Sequence, residues 1–223
     1  MAINRPYGGP AELPSVVPLF PLEGALLLPR CQLPLNVFEP RYLAMIDDAL
    51  KGERIIGIIQ PVPALVTTAS PALQGVGCLG RITEFAESGD GRYIITLTGV
   101  ARFRLVEEVT AATLYRQARI GFAGYEDDFS PNFGAEAVDR GRLLKTLAAY
   151  LDANRLEADW ESIKDAPNEA LVNALAMMSP FGAREKQALL EASDLAARAE
   201  MLIAVTEMAL ARGPGGDSET PLQ

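Results

Sequence analysis

The sequence predicts an α+β protein: strand-rich in its first half, helical in its second, with one helix set into the strands. Three observations carry this. From Val16 to about Phe122 the apolar residues recur at short, strand-like spacing, broken by turn formers about every ten positions. An acidic, Pro- and Gly-broken stretch, "GYEDDFSPNFGAE" (124–136), then interrupts the pattern, and beyond it the period is helical.

The strand half opens with "VVPLF" (16–20) and "QLPLNVF" (32–38). Pro18, Pro21 and Pro34 remove ladder donors, which places these segments at a sheet edge or at bulges. Pro40 suits a first helical turn, and Tyr42, Met45, Ile46 and Ala49 follow at helical spacing up to Gly52. "RIIGIIQ" (54–60), "GCLGRITEFAE" (77–87), "RYIITLTGV" (92–100), "RFRLVEEV" (102–109) and "LYRQARIGF" (114–122) read as further strands, rich in β-branched and aromatic residues. Asp90-Gly91 supplies the positive-φ geometry of a hairpin, and Gly99 is placed at a bend between two strands. So many short strands suggest a small barrel.

In the helical half, Leu143, Leu144, Leu147 and Leu151 form one stripe and Leu171, Val172, Leu175 and Met178 a second. Leu189 and Leu190 mark a third; Leu195, Leu202, Val205 and Ala209 make the last. Such stripes are expected to meet in a bundle. Pro167, Ser179-Pro180 and Gly213-Pro214 punctuate them, and Ser193 is a candidate cap. The expected organisation is a barrel over 1–123, a linker at 124–136, a bundle over 137–212 and a mobile tail at 213–223.

Composition removes several function classes. With 20 Lys and Arg against 29 Asp and Glu the net charge is -9, which repels a phosphate backbone and disfavours nucleic-acid binding. Arg81, Arg92, Arg102, Arg104, Arg116 and Arg119 crowd one stretch and are the only candidate basic patch. The chain has no histidine, so His-based triads and His-ligated metal sites cannot be built within it. No catalytic residue, metal ligand or cofactor site is assigned. Cys31 and Cys78 are read as free thiols of a reducing cytoplasm, and neither a signal peptide nor a membrane span is expected. The doublets Asp47-Asp48, Glu107-Glu108 and Asp127-Asp128 each diverge in direction and form no shared-proton dyad.

"VVPLFPLEGALLLPRCQLPLNVFEPRYLAMIDDAL" (16–50) resembles the opening of the Lon protease amino-terminal, substrate-binding domain. "GVGCLGRITEF" (75–85), "DGRYIITLTGVARFRL" (90–105) and "KQALLEASDLAARAEML" (186–202) resemble its later segments, in the same order. The resemblance implies a PUA-like β-barrel with one inserted helix, followed by a helical bundle. It also implies binding of unfolded or extended polypeptide, or of a specific protein partner, without catalysis. Neither the family's phosphate loop, Gly-x-x-x-x-Gly-Lys-Ser/Thr, nor its Ser-Lys peptidase signature occurs in these 223 residues.

Two stretches compete for a functional role. Phe38, Glu39, Pro40, Arg41 and Tyr42 form either a binding surface or, as favoured here, a structural corner in which the ion pair ties a strand to the helix and the aromatics pack inside. Gly99, Arg102 and Phe103, from the second motif, are read as a half-buried strand. In the linker, Tyr125, Phe129 and Phe133 are candidate partner-binding aromatics or a hinge whose rings fold back. The function expected is an adaptor or holdase for unfolded protein; an enzyme of unknown chemistry and an RNA-binding domain are the alternatives.

Overall fold

The computed structural model describes residues 4–63 and 70–212; the tail expected to be mobile, 213–223, lies outside the described residues. It shows an α+β fold of one mixed sheet and six α-helices. In chain order these are β1 (Val16–Pro21), β2 (Gln32–Val37), α1 (Pro40–Lys51), β3 (Ile55–Pro61), β4 (Leu73–Ser88), β5 (Arg92–Val109) and β6 (Gln117–Gly121), then α2 (Arg140–Ala153), α3 (Trp160–Asp165), α4 (Asn168–Met178), α5 (Ala183–Glu191) and α6 (Leu195–Arg212).

Two compact units share these elements. The first holds the chain up to Pro131 together with Ser179–Glu191; the second holds Asn132–Met178 together with the residues from Ala192 on. The sequence reading put α5 into the helical half, whereas its contacts assign it to the strand unit. The reason is polar: Gln60 on β3 donates to the Ala183 carbonyl at 3.0 Å and to Gln187 at 3.1 Å, and Gln187 donates to the Val76 carbonyl on β4 at 3.1 Å. Buried amides need such partners, and a periodicity argument does not see them.

In the first unit the strand order is β2-β5-β4-β3-β1-β6, and β6 also pairs with β5. The pairings of β5, β4, β3, β1 and β6 therefore run round a closed ring, with β2 outside it on β5. Only β1 and β3 are parallel among the described pairings. Inside lie Val17, Leu19, Ile55, Ile59, Leu79, Phe103, Ala118 and Ile120, all buried. Phe103 is fully buried, and its ring takes the space that side chains at Gly57 and Gly77 would fill: an added Cβ would meet it at 3.1 and 2.5 Å.

β5 corrects one expectation. "RYIITLTGV" and "RFRLVEEV" are a single strand of 18 residues, not two strands about a bend at Gly99. Gly99 is needed because another part of the chain passes against it. A Cβ there would lie 2.0 Å from the Leu28 carbonyl oxygen, and the Gly99 N–H donates to the Cys31 carbonyl at 2.8 Å.

α1 forms as its pattern requires: Pro40 opens it, Tyr42, Met45, Ile46 and Ala49 are its buried face, and Gly52 caps it. In the second unit α2 and α4 both pack on α6. Leu143, Leu171, Val172, Leu195 and Leu202 are buried there, whereas Met178 is exposed. The cap of α6 is Asp194, which accepts from the Ala197 N–H at 2.8 Å, and Ser193 serves it by donating to its carboxylate.

Candidate polypeptide-binding surface

The geometry of β2 follows from that one Gly99 bond. Leu33 is level with Leu97 and Leu35 with Ile95, and the bond to Cys31 fixes the odd-numbered residues of β2 as those that exchange hydrogen bonds with β5. Gln32, Pro34 and Asn36 then turn their backbone groups away from the sheet. All three are exposed, and among the described residues no strand pairs with that edge. Pro34 brings no N–H to it, so the edge offers the donors of Gln32 and Asn36 and three carbonyls.

Apolar side chains flank the edge on both faces. Leu33 and Leu35 are half-buried on one. On the other, Phe38 is 61% exposed and Ile94, which stands opposite Asn36, is 52% exposed. Arg92 reaches over the Phe38 ring at 5.7 Å, and Phe85 meets Tyr93 edge-on at 5.0 Å.

The Phe-Glu-Pro-Arg-Tyr motif is thus divided by the fold. Tyr42 is buried and stacks near Phe20, ring centres 4.2 Å apart, and burial is the main reason its hydroxyl pKa is raised. Phe38 faces outward, contrary to the expectation that both aromatics pack inside; it falls after β2 on the same outward face as Pro34 and Asn36. Glu39 and Arg41 pair at 2.8 Å with both side chains about half exposed. Arg41 and Tyr42 also line a cleft of about 310 Å3 with Pro21, Leu114, Tyr115 and Arg116. Both guanidinium groups in this cleft are committed, Arg41 to Glu39 and Arg116 to Glu108.

Arg102 and Phe103 are fully interior. Arg102 holds Asp128 through both carboxylate oxygens at 2.8 and 2.9 Å, and its Nη1 donates to the Leu190 carbonyl in the last turn of α5 at 3.1 Å. Tyr125 closes this cluster: its ring lies 4.3 Å from the Arg102 guanidinium and it is only 4% exposed. Of the two readings of Tyr125, the exposed docking aromatic is therefore corrected: its ring folds back onto the Arg102 guanidinium, where stacking adds to the charge pairing with Asp128. Phe129 is half-buried against Phe122, ring centres 5.8 Å apart, and Phe133 is exposed in the second unit.

The arginines that could have formed a basic patch are each engaged by protein acceptors. Arg92 pairs with Asp90, Arg116 with Glu108 and Arg119 with Glu107; Arg104 donates to the Ala123 carbonyl and Arg81 to that of Arg5. Among the described residues no three His, Cys, Asp or Glu side chains gather at metal-binding distance. No helix of the described residues is long and apolar enough to cross a membrane.

Comparison with known proteins fits this architecture. Residues 16–206 match the model of the ATP-dependent protease La (LON) substrate-binding domain, and the chain belongs to that family. It is 31% identical over 197 residues to "Lon protease 2" of Myxococcus xanthus and 29% over 196 to "Lon protease 2" of Sorangium cellulosum. Those alignments cover 86% and 85% of this chain but only 23% and 24% of the relatives, so the chain spans about a quarter of the curated relatives it matches. The fold is similar to the crystal structure of a Lon N-terminal domain protein from Xanthomonas campestris, with a TM-score of 0.59, 22% identity, and coverage of 85% of this chain and 97% of that one. It is also similar to the N-terminal domain of Mycobacterium avium complex Lon protease, with a TM-score of 0.63, 18% identity, and coverage of 86% and 98%.

Proposed function

We propose that this chain is a non-enzymatic polypeptide-binding module that takes extended, unfolded protein by strand addition to β2. The observation that carries the reading is the β2 edge, unpaired among the described residues, with its exposed donors and carbonyls between Leu33 and Leu35 on one face and Phe38 and Ile94 on the other. Backbone hydrogen bonds demand little of the peptide's sequence, and alternate side chains would meet apolar surface on both faces. The family description, a substrate-binding domain, points the same way. The closed ring of pairings is read here as a PUA-like barrel and the second unit as a helical bundle. An adaptor or holdase working in the cytoplasm is the role that fits these parts; the net charge and the paired arginines oppose RNA as ligand.

The test is fluorescence anisotropy with a labelled, permanently unfolded polypeptide, its folded form as control, at low and high salt. Binding of the unfolded form alone, insensitive to salt, is expected. Asn36→Pro removes one outward N–H without touching the β5 ladder and should weaken binding by about three- to tenfold, the worth of one hydrogen bond. Absence of binding up to roughly millimolar concentration would overturn the reading.

A further inference from the structure

Arg81 makes an arrangement that the β2 edge does not use. It is a buried β4 residue, and Arg5 and Tyr7 of the segment Asn4–Leu13 meet its guanidinium. Its Nη1 donates to the Arg5 carbonyl at 2.7 Å, its guanidinium lies 3.9 Å from the centre of the Tyr7 ring, and its Nε donates to the Tyr7 hydroxyl at 3.2 Å. Arg54 reaches Asn4 at 3.3 Å. One backbone carbonyl and one aromatic ring are thus read by a single planar cation, in a segment whose Asn4, Arg5 and Pro6 are exposed.

The segment does not fill the space beneath it. An open groove of about 190 Å3 remains, lined by Asn4, Pro6 and Tyr7 of the segment and by Thr83, Val100 and Phe129. A cavity of roughly 150 Å3 suffices for a benzene ring. The groove therefore has room for an aromatic side chain that the chain's own segment lacks.

We propose that this groove is a second peptide-recognition site, held in cis by residues 4–13, and that an extended peptide carrying Pro-Tyr or Pro-Phe with a second aromatic residue two positions before the proline displaces them. The proposal extends the polypeptide-binding reading to a separate surface of the same unit. Arg81 supplies the recognition, and the cavity supplies the advantage of an incoming peptide over the resident segment. The side chains of Asn4 and Arg5 hold the resident segment only through exposed contacts, Asn4 with Arg54 at 3.3 Å and Arg5 with Glu12 at 3.6 Å.

Two fluorescent probes test this on the full chain: a peptide with the sequence of residues 4–13 and the same peptide carrying Asn4→Phe. The Asn4→Phe peptide should bind at least about tenfold more tightly than the parent, a difference of about 1.4 kcal/mol. At saturation it should raise amide hydrogen exchange within residues 4–13 of the protein. Tyr7→Ser in the protein should tighten both probes by about tenfold or more. In the Tyr7→Ser protein, whose resident segment no longer offers Arg81 its ring, adding Arg81→Lys, which keeps charge but loses the planar fork, should weaken both probes by a similar factor and leave binding of unfolded polypeptide at β2 unchanged. Probe binding to the Tyr7→Ser protein that is indifferent to Arg81→Lys, unchanged exchange in residues 4–13, or no probe binding to either protein up to about 1 mM would each overturn the proposal. So would a concentration-dependent dimer that exchanges these segments between copies, which would make a second chain the occupant. Should Tyr7→Ser fail to fold, the comparison of the two probes on the intact chain decides alone. Because β2 is tested by Asn36→Pro and this groove by Arg81→Lys, failure of one reading is separable from failure of the other.

Discussion

Two of the arginine–carboxylate pairs in the first unit have the same 2.8 Å separation and opposite surroundings. Glu39 and Arg41 flank a proline and pair in solvent, with side chains about half exposed. Arg102 and Asp128 come from positions far apart in the chain and pair with side chains almost wholly removed from water. Water and salt screen the first pair, so it contributes little. In the second, each charge relies on the other, and Arg102 also satisfies the Leu190 carbonyl that the end of α5 leaves without an intrahelical donor. The Phe-Glu-Pro-Arg-Tyr pair is thus the weaker tie, and Arg102 joins β5, the 124–131 loop and α5.

The largest effect should come from breaking the buried pair. Asp128→Ala is expected to lower unfolding free energy by about 3–5 kcal/mol, read from the urea midpoint, because an uncompensated guanidinium is left inside. The double variant Arg102→Met with Asp128→Leu should recover only part of that loss, because the Leu190 carbonyl and the Arg102 backbone N–H, which donates to Asp128 at 2.9 Å, are both left unpaired at about 1 kcal/mol or more each. Full loss in the double variant would show that the pair supplies stability beyond mutual compensation.

Next comes Gly99→Ala, beside the buried cluster on β5. Its Cβ would meet the Leu28 carbonyl, so the loop from Leu28 to Cys31 must move, at a cost of about 1–3 kcal/mol in the same denaturation experiment. An unchanged midpoint would mean that the close approach is not required.

At the solvent side, α1 is tied through Asp48, which accepts from the Tyr115 hydroxyl at 2.9 Å. Burial first, and the Asp48 bond second, push the Tyr115 pKa up to about 12. The folded state therefore favours the neutral phenol: its contribution is complete below the ordinary tyrosine pKa of 10.0 and is lost as pH rises from there through about 12. Tyr115→Phe should flatten the alkaline decline in stability over that window, followed by thermal melts; an identical decline in wild type and variant would refute the assignment.

The smallest effect is expected at the motif itself. Glu39→Ala should change stability by less than about 1 kcal/mol, and less still at high salt. A loss comparable to that of Asp128→Ala would reverse the comparison.

Much of this molecule was legible before folding was considered. Pro40 and Gly52 bracket α1 as read, the Asp90-Gly91 turn joins β4 to β5 with Gly91 at φ 81°, and the switch from strand to helical period falls within the 124–136 stretch. Those features are local: they depend on which dihedrals a residue permits and which face it wets. The candidate surface was only half legible. Pro34 signalled an edge, but nothing in "QLPLNVF" said that Phe38 would face water, because that depends on how β2 pairs with β5, a pairing that ends at Val37 opposite Tyr93. Tyr125 misled for a related reason, since a loop aromatic looks exposed until a buried guanidinium is placed beneath it.

By itself the sequence determined the strand-to-helix order and the place of α1, the absence of histidine chemistry, the net negative charge and the resemblance to the Lon substrate-binding family. Tertiary structure decided which unit α5 joins, which ion pair is sheltered, which strand keeps an open edge and what lies across Arg81. Those outcomes rest on pairings between residues distant in the chain, such as Gln60 with Gln187 and Arg102 with Asp128. A buried polar group must find its partner wherever folding brings one, and sequence spacing carries no record of that meeting.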